Sequence, residues 1–212
     1  MLDAGKLIVI EGLDGAGTTT QVRLLEQWLI KEKGIQLYTT REPSEGPIGA
    51  LIRAVLTKRM SADPLTISGL FAADRNDHIY RENGLLDQLR AGTWVLMDRY
   101  YLSSFAYQAS GMDAKQMDWL KAIHRYCPPP DLTLFVDVPV KICLERIVRN
   151  RNAEFELFDE EAMLNRVYQE YLKAMKYFES QAERFVMVDG TMAIQAVHKQ
   201  LRQEITAFFG LV

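Results

Sequence analysis

The residues most suggestive of chemistry form a glycine-rich turn, Gly12-Leu-Asp-Gly-Ala-Gly-Thr-Thr-Thr20, directly after the apolar run Leu7-Ile-Val-Ile10. Glycine lets the backbone bend tightly and approach another group closely. A turn between a buried strand and a helix points several N–H groups and a helix N-terminus at one place, so it can hold phosphate oxygens without side-chain charge. On these residues alone, a simple chain reversal is the alternative.

Thr18 departs from the common phosphate-loop pattern G-x-x-x-x-G-K-[ST]. Gly12, Gly17 and Thr19 fit the pattern, whereas Thr18 stands where lysine is expected. That lysine places a positive charge on the β- and γ-phosphates during phosphoryl transfer. Either another cation substitutes for it or catalysis is weak. The dinucleotide-binding spacing G-x-G-x-x-G is absent, so that alternative fits less well.

The surrounding elements predict an α/β fold. Apolar runs predict strands at 7–10, 35–40, 93–97, 132–136 and 185–188. Helical spacing predicts helices at 18–33, 113–125, 139–149, 158–184 and 193–209. Asp63-Pro64 supplies an N-cap and a first helical residue for one more helix, which carries Phe71, Asp74 and Arg75. Because strands and helices alternate, we expect a parallel sheet with helices on both faces.

Composition favours one globular domain over residues 1–212. The chain is 48% hydrophobic and 25% charged, and its formal net charge of −3 gives no general attraction for nucleic acid or anionic membrane. Cys127 and Cys143 fit neither a redox pair nor a zinc cluster, so both are expected to be buried, reduced thiols. No stretch is long enough for a signal-peptide core or a membrane span, which predicts a cytoplasmic protein.

Four further blocks follow in order along the chain. They are Thr40-Arg-Glu-Pro43, Leu70-Phe-Ala-Ala-Asp-Arg75 followed by His78, Asp98-Arg-Tyr-Tyr-Leu-Ser-Ser-Phe-Ala-Tyr-Gln108, and Pro130-Asp-Leu-Thr-Leu-Phe-Val-Asp137. With the glycine-rich turn, they resemble the thymidylate kinases, P-loop nucleoside monophosphate kinases, over nearly the whole chain. The resemblance implies transfer of the γ-phosphoryl group of ATP to dTMP, giving dTDP and ADP in dTTP biosynthesis. It also implies a P-loop NTPase-type sheet of about five strands, a small mobile lid at about 146–158, Mg²⁺ as cofactor, and a homodimer.

Family positions assign the donor side. They place the ATP phosphates against Gly12, Leu13, Asp14, Gly15, Ala16, Gly17, Thr18, Thr19 and Thr20. Asp98 follows a predicted strand, at the sheet edge where open α/β folds bind ligands, and with Thr19 it resembles a Mg²⁺ site. Asp14 resembles the acid that accepts a hydrogen bond from the dTMP 3′-hydroxyl, although a loop aspartate can also be a helix N-cap.

The same resemblance assigns the dTMP site. Its members are Arg41, Pro43, Phe71, Arg75, Arg99, Ser104, Tyr107 and Gln108. Arg41 and Arg99 are expected to grip the phosphate with planar forks, and the alternative is a surface ion pair. Phe71 is expected to stack on thymine beside Arg75, although an aromatic residue at helical spacing can also be core. Tyr107 resembles the family residue that packs beneath the sugar and disfavours a 2′-hydroxyl. His78 is expected to be structural, since phosphate needs no base to deprotonate it.

The lid offers a substitute for the missing lysine. Some family members carry an arginine inside the phosphate loop, and others keep glycine there and place the cation in the lid. Gly15 and the basic run Arg146 to Arg151 resemble the second kind. We hypothesise that Arg149 or Arg151 reaches the β- and γ-phosphates. The predicted catalytic residues are therefore Asp14, Arg99, Arg149 and Arg151.

Two other functions stay open from the sequence. One is a kinase for another pyrimidine deoxynucleoside monophosphate, such as dUMP or dCMP. The other is a nucleotide-binding regulator with weakened or lost catalysis, which is motivated by Thr18. Phosphate-acceptor assays separate these alternatives.

Overall fold

One or more helices follow every strand in the described part of the chain. The computed structural model describes residues 4–109, 111–149 and 161–211. The strands are β1 Leu7–Gly12, β2 Leu37–Arg41, β3 Trp94–Asp98, β4 Leu132–Asp137 and β5 Phe185–Asp189. The helices are α1 Thr18–Lys31, α2 Pro47–Leu56, α3 Pro64–Tyr80, α4 Leu85–Arg90, α5 Tyr101–Tyr107, α6 Ala114–Ile123, α7 Val140–Arg149, α8 Glu161–Glu179 and α9 Ile194–Phe209.

The strands form one parallel sheet in the order β2-β3-β1-β4-β5. Ile10 of β1 pairs with Asp98 on one side and with Leu134 on the other, so β1 is the central strand. β1 is buried along its whole length and β3 and β4 nearly so, because helices cover both faces of the sheet. The predicted α/β fold with about five strands is therefore confirmed.

The observed helix boundaries agree with the predicted ones where the sequence carries a residue that starts or stops a helix. Asp63 caps α3 by accepting a hydrogen bond from the Leu65 N–H (2.8 Å), as predicted. α1 ends at Lys31, before the left-handed Gly34. α8 ends at Glu179, earlier than predicted, and Ala182 then adopts a positive φ of 69°. Three helices, α2, α4 and α5, were not predicted, and α4 and α5 have only 6 and 7 residues.

The cysteine prediction was correct for one residue and partly wrong for the other. Both thiols are free, and Cys143 is buried, whereas Cys127 is only half-buried. Burial raises the pKa of each thiol to about 11, so both stay protonated at neutral pH. Among the helices in the described ranges, none has the length and apolar character needed to cross a bilayer.

Parallel strands bring their carboxyl ends to one edge of the sheet. The glycine-rich turn follows β1, Asp98 ends β3, and Asp137 ends β4. The residues singled out in the sequence are therefore gathered at this edge, where the site is found.

Candidate active site

A cavity of about 860 Å³ opens at this edge of the sheet. The phosphate loop, residues 12–20, forms one end, and α3 with the β3–α5 turn forms the other. Its lining includes Leu13, Asp14, Gly15, Ala16, Gly17, Thr18, Thr19, Thr20, Arg41, Glu42, Pro43, Arg53, Phe71, Arg75, Asp98, Arg99, Tyr107, Gln108, Arg146 and Gly190. A volume of this size is at the upper end of the range for small-molecule sites. The cavity extends from the phosphate loop to Phe71 and Arg75, so its two ends offer different chemistry to a ligand.

The phosphate loop depends on glycine at specific points. Gly15 and Gly17 have φ of 82° and 96°, which side-chain-bearing residues rarely adopt. A Cβ on Gly15 would lie 2.5 Å from the carbonyl oxygen of Cys143, so the loop passes too close to α7 for any other residue. Gly17 occupies the N-cap position of α1, and a glycine leaves the first N–H groups of the helix open to a ligand.

Thr19 and Asp98 meet at the carboxyl edge of the sheet. The Thr19 hydroxyl donates to Asp98 Oδ2 at 2.6 Å. Asp98 Oδ1 is buried, and within residues 4–109, 111–149 and 161–211 it has no hydrogen-bond partner. Buried polar atoms are rarely left unpaired, and a hydroxyl beside a carboxylate matches the hard oxygen ligands that Mg²⁺ prefers. These residues therefore fit a Mg²⁺ ion.

Arg99 links the phosphate loop to the β3–α5 turn. Its guanidinium donates to Asp14 Oδ1 and lies 5.3 Å from the ring centroid of Tyr107. Burial alone would lower the pKa of Arg99, but the charge of Asp14 raises it well above its ordinary value. The Tyr107 hydroxyl in turn accepts from the Asp14 N–H at 3.1 Å. Asp14 is thus an ion-pair partner rather than the N-cap of α1, because Gly17 holds that position.

Arg75 is the most deeply buried charge of the site, with 1% of its side chain exposed. Its Nε donates to Glu42 Oε2 at 2.7 Å, and its Nη1 donates to the Ser104 hydroxyl at 3.0 Å. Burial raises the pKa of Glu42 to about 7, although the Arg75 charge opposes the rise. The fixed guanidinium lies one turn after Phe71, and both line the cavity. Together they form an apolar face next to a directed donor, which suits a pyrimidine base.

Other predicted residues are also placed near this end. Arg41, Pro43 and Gln108 line the cavity. Arg41 is exposed and pairs with Glu45, the surface ion pair considered as its alternative. His78 is fully buried and shares a 2.8 Å hydrogen bond with the Thr40 hydroxyl. Burial, followed by the charge of Arg81, lowers the pKa of His78 to about 4, so it is neutral, as expected for a structural histidine.

The sequence analysis missed two arginines of the cavity. Arg53 donates to the Ser44 carbonyl oxygen at 2.5 Å, and it was overlooked because α2 was not predicted. Arg146 donates to the carbonyl oxygens of Ala16 (3.2 Å) and Gly190 (3.0 Å), and so joins α7 to the phosphate loop. Arg146 was within the basic run noticed in the sequence, but spacing alone did not separate it from its neighbours.

Most residues of the predicted lid lie outside the described part of the chain. Arg149, at the end of α7, has 80% of its side chain exposed and lies 4.0 Å from Glu145. Arg151 and the remaining predicted lid residues up to 158 lie outside the described ranges. Residues 146–149 of the predicted lid are the last turn of α7. Arg146 is therefore the nearest lid-side arginine with defined contacts to the loop.

The parallel sheet, the glycine turn and the Thr19–Asp98 pair define a nucleotide-binding α/β protein of the phosphate-loop class. Comparison with known proteins narrows this class. The family model for thymidylate kinase matches residues 10–201, and the chain belongs to that family. It is therefore a nucleoside monophosphate kinase by family, a phosphotransferase.

Curated relatives cover nearly the full length of the chain. A probable thymidylate kinase of Thermococcus kodakarensis is 38% identical, over 96% of this chain and 98% of the relative. A probable thymidylate kinase of Pyrococcus horikoshii is 36% identical, over 93% and 94%. A thymidylate kinase of Nitrosomonas eutropha is 33% identical, over 98% and 95%. The chain thus resembles its relatives from end to end, in agreement with the four blocks.

Proposed function

We propose that this protein transfers the γ-phosphoryl group of ATP to dTMP, giving dTDP and ADP. The observation that carries the proposal is the arrangement within one cavity. An anion-binding loop without a lysine lies at one end, and a base pocket built on Phe71 and Arg75 lies at the other. Arg99, in the β3–α5 turn, lines the same cavity and contacts Asp14 of the loop. Family membership supports the same pair of substrates.

The acceptor is bound by charges that are already oriented. In this proposal, thymine stacks on Phe71, and Arg75 donates to its polar edge beside Ser104 and Gln108. Arg41 and Arg99 bind the dTMP phosphate, and Asp14 accepts from the 3′-hydroxyl. Tyr107 is fixed by its hydrogen bond from the loop, so it leaves little room for a 2′-hydroxyl.

The reaction itself needs positioning more than proton transfer. An oxygen of the dTMP phosphate attacks the γ-phosphorus of ATP, the bond to the β–γ bridging oxygen breaks, and ADP leaves. The attacking oxygen is already an anion, so no base is required. Asp14, Arg99, Arg149 and Arg151 are the residues we assign to catalysis. The loop amides hold the ATP phosphates without contributing net charge.

Mg²⁺ is part of the proposal through Thr19 and Asp98. When bound, the ion neutralises charge on the transferring phosphates. The chain would contribute two oxygen ligands, since Thr19 in the first turn of α1 and Asp98 at the end of β3 are held together by a hydrogen bond. Asp98→Asn is expected to raise the Mg²⁺ concentration for half-maximal activity by about tenfold or more. Unchanged Mg²⁺ dependence would remove Asp98 from the metal site.

Three variants test the hypothesis that a lid arginine takes the place of the missing loop lysine. Arg149→Ala or Arg151→Ala should lower turnover by more than about tenfold, ~1.4 kcal/mol of barrier. Thr18→Lys, which restores the missing charge, should recover part of that loss when combined with the affected arginine variant. If neither arginine variant lowers turnover by that amount, the substitution hypothesis fails.

An acceptor panel tests the proposed function directly. ADP release from ATP and Mg²⁺ should be strongly stimulated by dTMP and less by dUMP or dCMP. A preference for dCMP would favour another pyrimidine kinase. Binding of both nucleotides without stimulation would favour a regulator that has lost catalysis. A homodimer and a cytoplasmic location stay predictions, which gel filtration and cell fractionation would check.

A further inference from the structure

Glu11 is a fully buried carboxylate at the base of the phosphate loop. It is the residue before Gly12, and its exposed fraction is 0%. Burial raises the pKa of Glu11, while donated hydrogen bonds and the Arg99 charge oppose the rise. A carboxylate is costly to bury unless other groups satisfy it. The partners of Glu11 therefore indicate what it is retained for.

Both carboxylate oxygens of Glu11 accept hydrogen bonds from the start of α5. Oε1 accepts from the backbone N–H of Tyr100 at 2.9 Å and from that of Ser103 at 3.3 Å. Oε2 accepts from the Ser103 hydroxyl at 2.7 Å. Tyr100 is at the N-cap position of α5, and tyrosine lacks the short side-chain acceptor that usually caps a helix. Glu11 thus supplies that acceptor from another strand.

Arg99 lies immediately before this capped turn and has an unusual backbone. Its φ is 67°, in the left-handed region, where the Cβ of a residue other than glycine is crowded and the backbone is strained. Its own N–H donates to the Ile10 carbonyl oxygen at 2.9 Å. The backbone of Arg99 is therefore fixed on one side by Ile10 and on the other by Glu11, two consecutive residues of β1. A strained conformation persists only where its surroundings determine it.

Tyr171 extends the same network to α8. Its hydroxyl lies 3.1 Å from Glu11 Oε2, 2.8 Å from the Ser103 hydroxyl and 3.3 Å from the Gly12 carbonyl oxygen. Tyr171 is fully buried, so these bonds are shielded from water. The phosphate loop, the β3–α5 turn and α8 therefore meet at one carboxylate.

We propose that Glu11 is a positioning residue that holds Arg99 in its left-handed conformation and so aims the guanidinium between the two substrates. This inference rests on the proposed function, because it takes from it the role of Arg99 toward dTMP. Glu11 touches no substrate in this proposal. It acts through the turn that it caps, and its carboxylate is chemically suited to this because it accepts from three donors of one turn at once.

The test compares Glu11→Gln with a matched carboxylate elsewhere. Glutamine keeps the shape but loses the charge, and it replaces one acceptor oxygen with a donor beside two hydroxyls. The control is Glu183→Gln, since Glu183 also accepts from a tyrosine hydroxyl, that of Tyr101, at 2.6 Å. The readouts are the dissociation constants of dTMP and ATP, measured separately by calorimetry, together with kcat and KM for both substrates.

Glu11→Gln is expected to weaken dTMP binding by about tenfold or more and to change ATP binding by less than about threefold. Glu183→Gln should change neither. If Glu11→Gln fails to fold, Ser103→Ala replaces it, because it removes one bond to Glu11 without removing the charge. The expected weakening of dTMP binding is then about threefold or more.

Two results would overturn the inference. One is equal weakening of dTMP and ATP binding, which is what general loss of structure would produce. The other is unchanged dTMP binding in Glu11→Gln or, if that variant does not fold, in Ser103→Ala. Wild-type protein that binds dTMP but does not turn it over would reject the proposed function alone, because the binding comparison would still be readable.

Discussion

The two ends of the cavity hold charge in different ways. At the end proposed to bind dTMP, the acceptor end, the cations Arg75 and Arg99 are paired with carboxylates within the protein. At the end proposed to bind ATP, the donor end, the loop offers backbone N–H groups, and Thr18 stands at the position of the usual cation. The acceptor end thus carries two fixed guanidinium groups, one of them paired with Asp14 of the loop, whereas the donor end relies mainly on backbone geometry. Loss of one charged side chain should therefore be felt much more at the acceptor end.

Arg99→Ala should give the largest effect on activity. It removes the guanidinium that we propose lies between the substrates, and it leaves Asp14 without its ion-pair partner. We expect kcat/KM for dTMP to fall about 1,000-fold, ~4 kcal/mol, in steady-state assays. Arg90→Ala is the matched control, because Arg90 is on the surface with 74% of its side chain exposed. A loss below about tenfold would mean that Arg99 does not bridge the two ends.

Arg75→Met should give the second largest effect, which is a loss of stability. It leaves Glu42 buried without its partner, which is expected to lower the free energy of unfolding by about 3 kcal/mol at pH 8. The pKa of Glu42 is already about 7, and removal of Arg75 raises it further. The folded variant then binds a proton that the unfolded chain does not, so its stability increases as pH falls toward 4.5. Urea unfolding at pH 8 and 5.5 measures the difference.

The double variant Arg75→Met/Glu42→Gln distinguishes loss of the Arg75–Glu42 ion pair from loss of side-chain packing as the cause of the lower stability. It should recover stability at pH 8 and lose most of the pH dependence, because no buried carboxylate is left unpaired. Equal instability of the single variant at both pH values would contradict a buried, ionised Glu42 at the acceptor end.

The smallest predicted effect is on the pH dependence of stability and comes from His124, which packs against α5. Its Nδ1 is 2.8 Å from the Leu120 carbonyl oxygen, and its ring packs against Phe105 of α5. Burial, followed by the Arg75 charge, lowers the pKa of His124 to about 3. The unfolded chain takes up a proton below pH 6.5 while the folded protein does not, so stability falls as pH falls from 6.5 toward 3.

His124→Asn keeps a donor near the Nδ1 position and removes the titrating ring. The slope of unfolding free energy against pH between 4 and 6 should be smaller than in wild type by up to about 1.4 kcal/mol per pH unit. His198→Asn in α9, which packs on α1 at the donor end, is the comparison. Burial and then the Arg202 charge also lower the pKa of His198, but the Glu32 charge opposes the shift, so its effect on the slope should be smaller. Equal slopes in wild type and His124→Asn would refute the prediction.

The sequence predicted the sheet because its strands are continuous apolar runs bounded by clear turns, as in Leu7–Gly12 and Leu132–Asp137. It also predicted most of the residues that meet at the cavity, since parallel strands gather their carboxyl ends. It could not predict the Arg75–Glu42 pair or the partners of Glu11, because these contacts join residues that are distant in the chain. Resemblance alone assigned roles to the base-pocket residues, which composition and spacing would have left as core.

Transfer of label from [γ-³²P]ATP to dTMP in a single turnover, with enzyme in excess over ATP and with Mg²⁺ present, tests the central claim most directly. The label should appear in dTDP when dTMP is present, and omission of dTMP should leave it on ATP. Protein that binds both nucleotides but leaves the label on ATP would contradict phosphoryl transfer without the loop lysine.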